Sequence, residues 1–197
     1  MKISDLIYYI RTSYRWLSRC CYSRGFGIQS PSAYSFVRYV INEHSPYYAY
    51  SELDRMMLSK GLLFRKMGRL YFRLANFWQP HDVVVSCRDI QPYINSACHA
   101  AYVVDVDSYE FVTNSLPVLF ILNIDYFKDI KSRNRIFSFA SDKTLLVVTD
   151  IHTSKETKSL WKSIVDDKLS VVTYDLYDCG IVFFDKSKYK QNFKINF

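Results

Sequence analysis

The chain has 197 residues, 49% of them hydrophobic and 23% charged, which suits one ordinary domain, or one domain with an appended element, and enough apolar surface for a core. That balance excludes a disordered chain, a collagen-like fibre and a small disulfide scaffold. The net charge of +7 sits in the first 80 residues, where 12 Lys/Arg face 4 Asp/Glu, against 14 and 15 in the remainder.

From the start, Met1-Lys2-Ile3-Ser4-Asp5 lacks the pattern of a signal peptide, because Arg11, Arg15 and Arg19 interrupt the apolar run and no small-residue cleavage site follows. No stretch reaches the ~18–20 apolar residues of a spanning helix. Apolar positions at Ile3, Leu6, Ile7, Ile10, Tyr14 and Leu17 predict a first helix over residues 3–22, ended by Gly25-Phe26-Gly27. Ser30-Pro31-Ser32 starts a second, through Tyr34, Val37, Val40 and Ile41. After a tyrosine-rich link over residues 45–50, Ser51 with Asp54 three residues on is expected to cap a long third helix. Its inner face is Leu63, Met67, Leu70, Tyr71, Leu74 and Trp78; Arg65, Arg69 and Arg73 form a basic stripe on another face, and Gln79-Pro80 stops it.

The pattern changes after Pro80. Apolar runs at residues 83–85, 102–107, 118–122 and 145–148, rich in β-branched residues and without alternation, predict strands buried on both faces. Between them, residues 88–99, 108–115, 126–140 and 154–166 have helical pattern. Alternation of this kind implies an α/β, Rossmann-type sheet built by right-handed crossovers. Residues 169–176 and 181–184 flank Tyr177-Asp178-Cys179-Gly180 and predict an antiparallel hairpin closing the sheet. The expected division is a helical cap over 1–80 and an α/β domain over 81–197.

The five cysteines lack metal-ligand spacing: Cys20-Cys21 is a vicinal pair, and Cys87, Cys98 and Cys179 read as small core residues in a reducing, cytoplasmic setting. The arginines at 11, 15 and 19 interleave with Tyr8, Tyr9, Tyr14 and Trp16, the makeup of a surface for self-association or an acidic partner, with nucleic acid or an anionic membrane as further candidates. A solvated helix face is the plain alternative.

Three stretches carry a family resemblance: Gly27-Ile28-Gln29-Ser30-Pro31; residues 70–80; and the last third, with Asp150-Ile151-His152, Ser154-Lys155-Glu156, Trp161, Asp175-Leu176-Tyr177 and residues 180–184. In these the chain resembles bacterial class I S-adenosylmethionine (SAM)-dependent methyltransferases of a little-characterised group with a helical N-terminal extension. The resemblance implies SAM as cofactor, a glycine-rich turn after the first strand, and an acid at the end of the second strand for the ribose hydroxyls. Asp107 fits that acid best and Asp105 is the alternative, with Ser86 in the turn. Metal-dependent members hold a cation at similar strand ends, where this chain offers Asn123, Asp125, Asp150 and His152. The alternative is that Asp150 caps the following loop and His152 lies on the surface.

The sequence departs from that family where the cofactor should sit. Val85-Ser86-Cys87-Arg88-Asp89 replaces the glycine turn, and no glycine occurs between Gly68 and Gly180; only glycine lets the backbone approach a ligand closely there. The ten residues between Asp107 and Val118 are too few for a further helix, strand and helix, so the family's third, edge strand is expected to be missing. The reading is a degenerate member that kept the fold, lost the cofactor and acts as a binding or scaffold protein; an active methyltransferase is the alternative.

Overall fold

A computed structural model describes residues 3–22, 25–111 and 116–197, with the backbone alone for residues 3–7, 11 and 15. The chain divides into two units. The first comprises Met1–Phe77, Ile90–His99 and Ile195–Phe197, and the second Trp78–Asp89 and Ala100–Lys194. The helical unit's first segment ends at Phe77, and two later segments join it.

In the helical unit, α1 (Ile3–Ser18) is followed by α2 (Pro31–Phe36), capped by Ser30, whose hydroxyl accepts the Ala33 N–H. α2 runs into a π-turn, Val37–Ile41, in which the Asn42 N–H reaches back to the Val37 carbonyl. The third predicted helix is two. α3 (Tyr48–Met56) begins before Ser51, whose hydroxyl donates to the Tyr48 carbonyl instead of capping. Gly61 (φ +86°) then breaks the chain ahead of α4 (Leu62–Trp78). Tyr50, Leu53, Phe72 and Tyr93 form the buried cluster, Tyr93 coming from α5 (Gln91–Ala97).

The arginine stripe of α4 is not a solvated face. Arg73 is buried and donates to the carbonyls of Val40 (2.6 Å) and Ile41 (3.0 Å) at the end of the π-turn, and to the Tyr50 hydroxyl (3.3 Å). It thereby satisfies carbonyls that a helix end leaves without partners. Arg69 pairs with Asp54.

The second unit is a seven-stranded sheet: β1 (Asp82–Val85), β2 (Tyr102–Asp105), β3 (Val118–Asn123), β4 (Thr144–Thr149), β5 (Val172–Asp175), β6 (Cys179–Phe183) and β7 (Gln191–Lys194). Their order is β2-β1-β3-β4-β6-β5-β7, parallel throughout except that β6 runs antiparallel to both neighbours. This is a methyltransferase-like, Rossmann-type sheet with its antiparallel strand in place. Among the described residues no strand stands beyond β2, as the short span before β3 predicts. Part of the predicted helix over 108–115 lies outside the described residues. The hairpin β5–β6 forms as expected, but β7 adds an edge strand parallel to β5.

Continuous apolar runs make this core. Val83, Val84 and Val85 have no accessible surface, and neither do Leu119, Phe120, Leu145, Leu146, Val147 and Val148. One face (Val84, Phe120, Leu122, Leu146, Val148, Val182) packs on Ile136 and Phe137 of α6 (Ile130–Phe139) and on Trp161 and Ile164 of α7 (Lys155–Asp166). No helix among the described residues is long and apolar enough to cross a membrane.

Candidate functional site at the carboxyl edge of the sheet

β1 to β4 are mutually parallel, so the residues after them meet along one edge, where an α/β sheet places its ligands. β2 and β3 end in the same way. Asp105 (φ −71°, ψ 142°) and Asn123 (φ −70°, ψ 146°) each turn a side-chain oxygen onto the N–H two residues on, that of Asp107 at 3.2 Å and that of Asp125 at 2.9 Å. Short polar side chains favour such turns, and each opens a single 3-10 turn, Val106–Ser108 and Ile124–Phe127.

A chain of hydrogen bonds crosses the edge. The Ser86 N–H donates to the Ile121 carbonyl (3.1 Å), and the Ser86 hydroxyl accepts the Asn123 N–H (3.0 Å). The Asn123 amide donates to Asp150 Oδ2 at 2.7 Å, and the Thr149 hydroxyl donates to the same oxygen at 3.2 Å. Asp150 holds a left-handed backbone (φ +62°), which Asp tolerates better than most residues, and its N–H donates to the Asp178 carbonyl (2.8 Å).

Of the residues expected to hold a cofactor, Ser86 lies within this chain and Asp105 is the last residue of β2, level with Val85 of β1. Asp107 lies beyond the strand, exposed in the 3-10 turn. The strand-end position therefore belongs to Asp105 and not to Asp107. Cys87, read as a core residue, is exposed; Cys98 and Cys179 are buried.

The four expected metal ligands do not converge: Asn123 and Asp150 bind each other, and the other two turn elsewhere. Asp125 pairs with Lys128 at 3.0 Å, Asp150 is held by Asn123, and His152 Nε2 lies 2.8 Å from Asp175 Oδ2. Among the described residues no three His, Cys, Asp or Glu side chains form a metal-binding group. His152 is not a surface residue either: its side chain is 17% exposed and its ring stacks on Tyr177 at 5.0 Å. Asp175 Oδ1 also accepts the Tyr177 N–H (2.9 Å). This His–Asp–Tyr group was not legible as a group, because His152 follows β4 and Asp175 ends β5, strands that come near only through the insertion of β6 between them. At the opposite, amino end of β1, Asp82 accepts from the Tyr109 hydroxyl (3.3 Å); burial, then the Asp82 charge, push that phenol up to about 12.

Neither a scan against family models nor a search of curated proteins finds a match. Among solved structures the chain is similar to the crystal structure of the SAH-bound Podospora anserina methyltransferase PaMTH1. The two share 8% identity at a TM-score of 0.48, over 78% of this chain and 93% of that one. The order and direction of the strands described above give the fold independently of that likeness.

Proposed function

We propose that the protein is a degenerate member of the bacterial SAM-dependent methyltransferase-like group, one that keeps the sheet, no longer holds SAM at the carboxyl edge, and acts as a cytoplasmic binding protein through its basic, tyrosine-rich helical unit. The observation that carries the reading is the closed polar chain Ser86–Asn123–Asp150. Polar groups that follow β1, β3 and β4 at this edge are engaged with one another. They adjoin a turn in which Ser86, Cys87 and Arg88 present side chains where a glycine turn would leave the backbone bare. On this reading the residues of the turn do not fit the cofactor. Five free cysteines suit a reducing compartment.

One observation favours the other reading, an active methyltransferase on an unidentified acceptor: Asp105 ends β2 opposite Val85, where the resembled family keeps its ribose-holding acid. Thermal unfolding of the full chain with SAM, and separately with S-adenosylhomocysteine, decides between them. A ligand at 100 times its Kd stabilises by about 2.7 kcal/mol, about 5–10 °C for a chain of this size. The degenerate reading expects no shift at millimolar ligand; a shift of that size overturns it.

A further inference from the structure

The helical unit contains an open cavity of about 970 Å³ between α3, α4 and the segment that follows the π-turn. That is the upper end of the range for small-molecule sites, about 300–1,000 Å³. Its wall is basic. Arg65, Lys66, Arg69 and Arg73 line it, against the carboxylates of Glu43 and Asp54.

Most of these charges are engaged. Arg69 pairs with Asp54. The Lys66 ammonium donates to the Phe197 carbonyl at 2.8 Å, and Arg73 holds the end of the π-turn. Glu43 accepts the Ser45 N–H at 2.6 Å, which holds its carboxyl below the usual range and keeps it charged.

Two donors remain. Asn42, 8% exposed and lining the cavity, has a buried side-chain Nδ2 with no acceptor. Arg65, on the same cavity wall, has a buried Nε with no acceptor and no carboxylate partner among the described residues. Buried polar groups in native proteins nearly always have partners, and leaving one unmade costs about 1–3 kcal/mol. An amide and a guanidinium that line one basic cavity and each keep a nitrogen without an acceptor in the chain leave donor capacity for an acceptor that comes from outside it.

We propose that this cavity binds a small organic phosphate ester, its phosphate oxygens accepting from Arg65 and Asn42. The guanidinium fork matches phosphate geometry, and phosphate is rich in acceptors and anionic. A bare phosphate ion would leave most of the volume empty, so the ester carries an organic group. The inference deepens the binding reading given above and rests on it for the choice of the helical unit.

Calorimetric titration of the full chain with uridine 5′-monophosphate, glycerol 3-phosphate, inorganic phosphate and citrate tests it. None of these probes carries the adenosyl or sulfonium groups of SAM, so the result is separable from binding at the sheet edge. The expected result is one-to-one binding of at least one ester, tighter than inorganic phosphate. Arg65→Gln and Asn42→Ala should each weaken it at least about tenfold, the loss expected for a hydrogen bond to a charged group. Arg55→Gln removes the same charge from an exposed position of α3 outside the cavity and should leave it unchanged. No binding of either ester at 10 mM (about the weakest affinity worth the name of a site), binding of citrate alone, or ester binding equal in R65Q, N42A and wild type would overturn the proposal.

Discussion

Tyr93 has no accessible surface and its hydroxyl has no acceptor, while its ring lies against Gly68, where an added Cβ would stand 2.3 Å from it. The hydroxyl is therefore a desolvated group without return. Tyr93→Phe is expected to leave stability unchanged or to raise it by up to about 1 kcal/mol in urea unfolding; a loss above that figure would mean the hydroxyl has a partner. Tyr109 differs, since its phenol donates to Asp82 and its pKa is raised to about 12. A raised folded-state pKa means that the folded chain holds its proton longer than the unfolded one, whose tyrosines titrate near 10. The stabilisation is complete below about pH 10 and is lost between about 10 and 12. Burial raises the phenols of Tyr50, Tyr93 and Tyr174 as well, so unfolding free energy should fall steeply over that window. Tyr109→Phe should flatten the fall, and a slope identical to wild type would show that this phenol titrates normally.

At the level of elements, the capping box of α7 is the clearest case of local sequence deciding structure. The Ser154 hydroxyl accepts the Thr157 N–H at 3.1 Å, and the Ser154 N–H donates to the Thr157 hydroxyl at 2.9 Å. Ser154→Ala should cost about 1 kcal/mol by thermal or chemical unfolding; no loss would mean that the helix starts elsewhere. β6 supplies a packing test. A Cβ on Gly180 would stand 2.2 Å from the Trp161 ring, so Gly180→Ala should destabilise by about 1–3 kcal/mol, and Trp161→Phe in the same chain should restore part of the loss. The buried parallel strands β1, β3 and β4 were legible because a strand covered on both faces needs an unbroken apolar run; the run at 102–107 was expected to be buried likewise, but β2 stands at the sheet edge with Tyr102 71% exposed and the rest half-buried. β7 was not legible, since Gln191-Asn192-Phe193-Lys194 is four residues of an edge strand with alternate positions exposed, and its Phe193 declares itself only by stacking on Tyr174. Ser51 matched a capping pattern, but the helix it was meant to start had already begun at Tyr48. The arginines of α4 have the spacing of a solvated stripe; that Arg73 is buried depends on the Val40 and Ile41 carbonyls, 33 and 32 residues away in sequence, which no local pattern discloses.

For the molecule as a whole, chain order and folding unit do not coincide. The helical unit draws Tyr93 and its neighbours from beyond residue 80, and Tyr93 fills the cluster with Tyr50, Leu53 and Phe72. A fragment of residues 1–80 should therefore lack cooperative unfolding, and a sharp calorimetric transition in that fragment would refute this. The sheet edge was legible as to place, because strand ends in a parallel sheet gather whatever follows them. The partners were not: that Ser86, Asn123 and Asp150 bind one another, while Asp125 and His152 turn to Lys128 and Asp175, depends on side-chain directions that spacing does not encode. Whether this edge still holds SAM decides the proposed function, and calorimetric titration of S-adenosylhomocysteine into the full chain answers it. No binding heat is expected up to millimolar ligand; a one-to-one isotherm that Asp105→Asn abolishes would overturn the proposal.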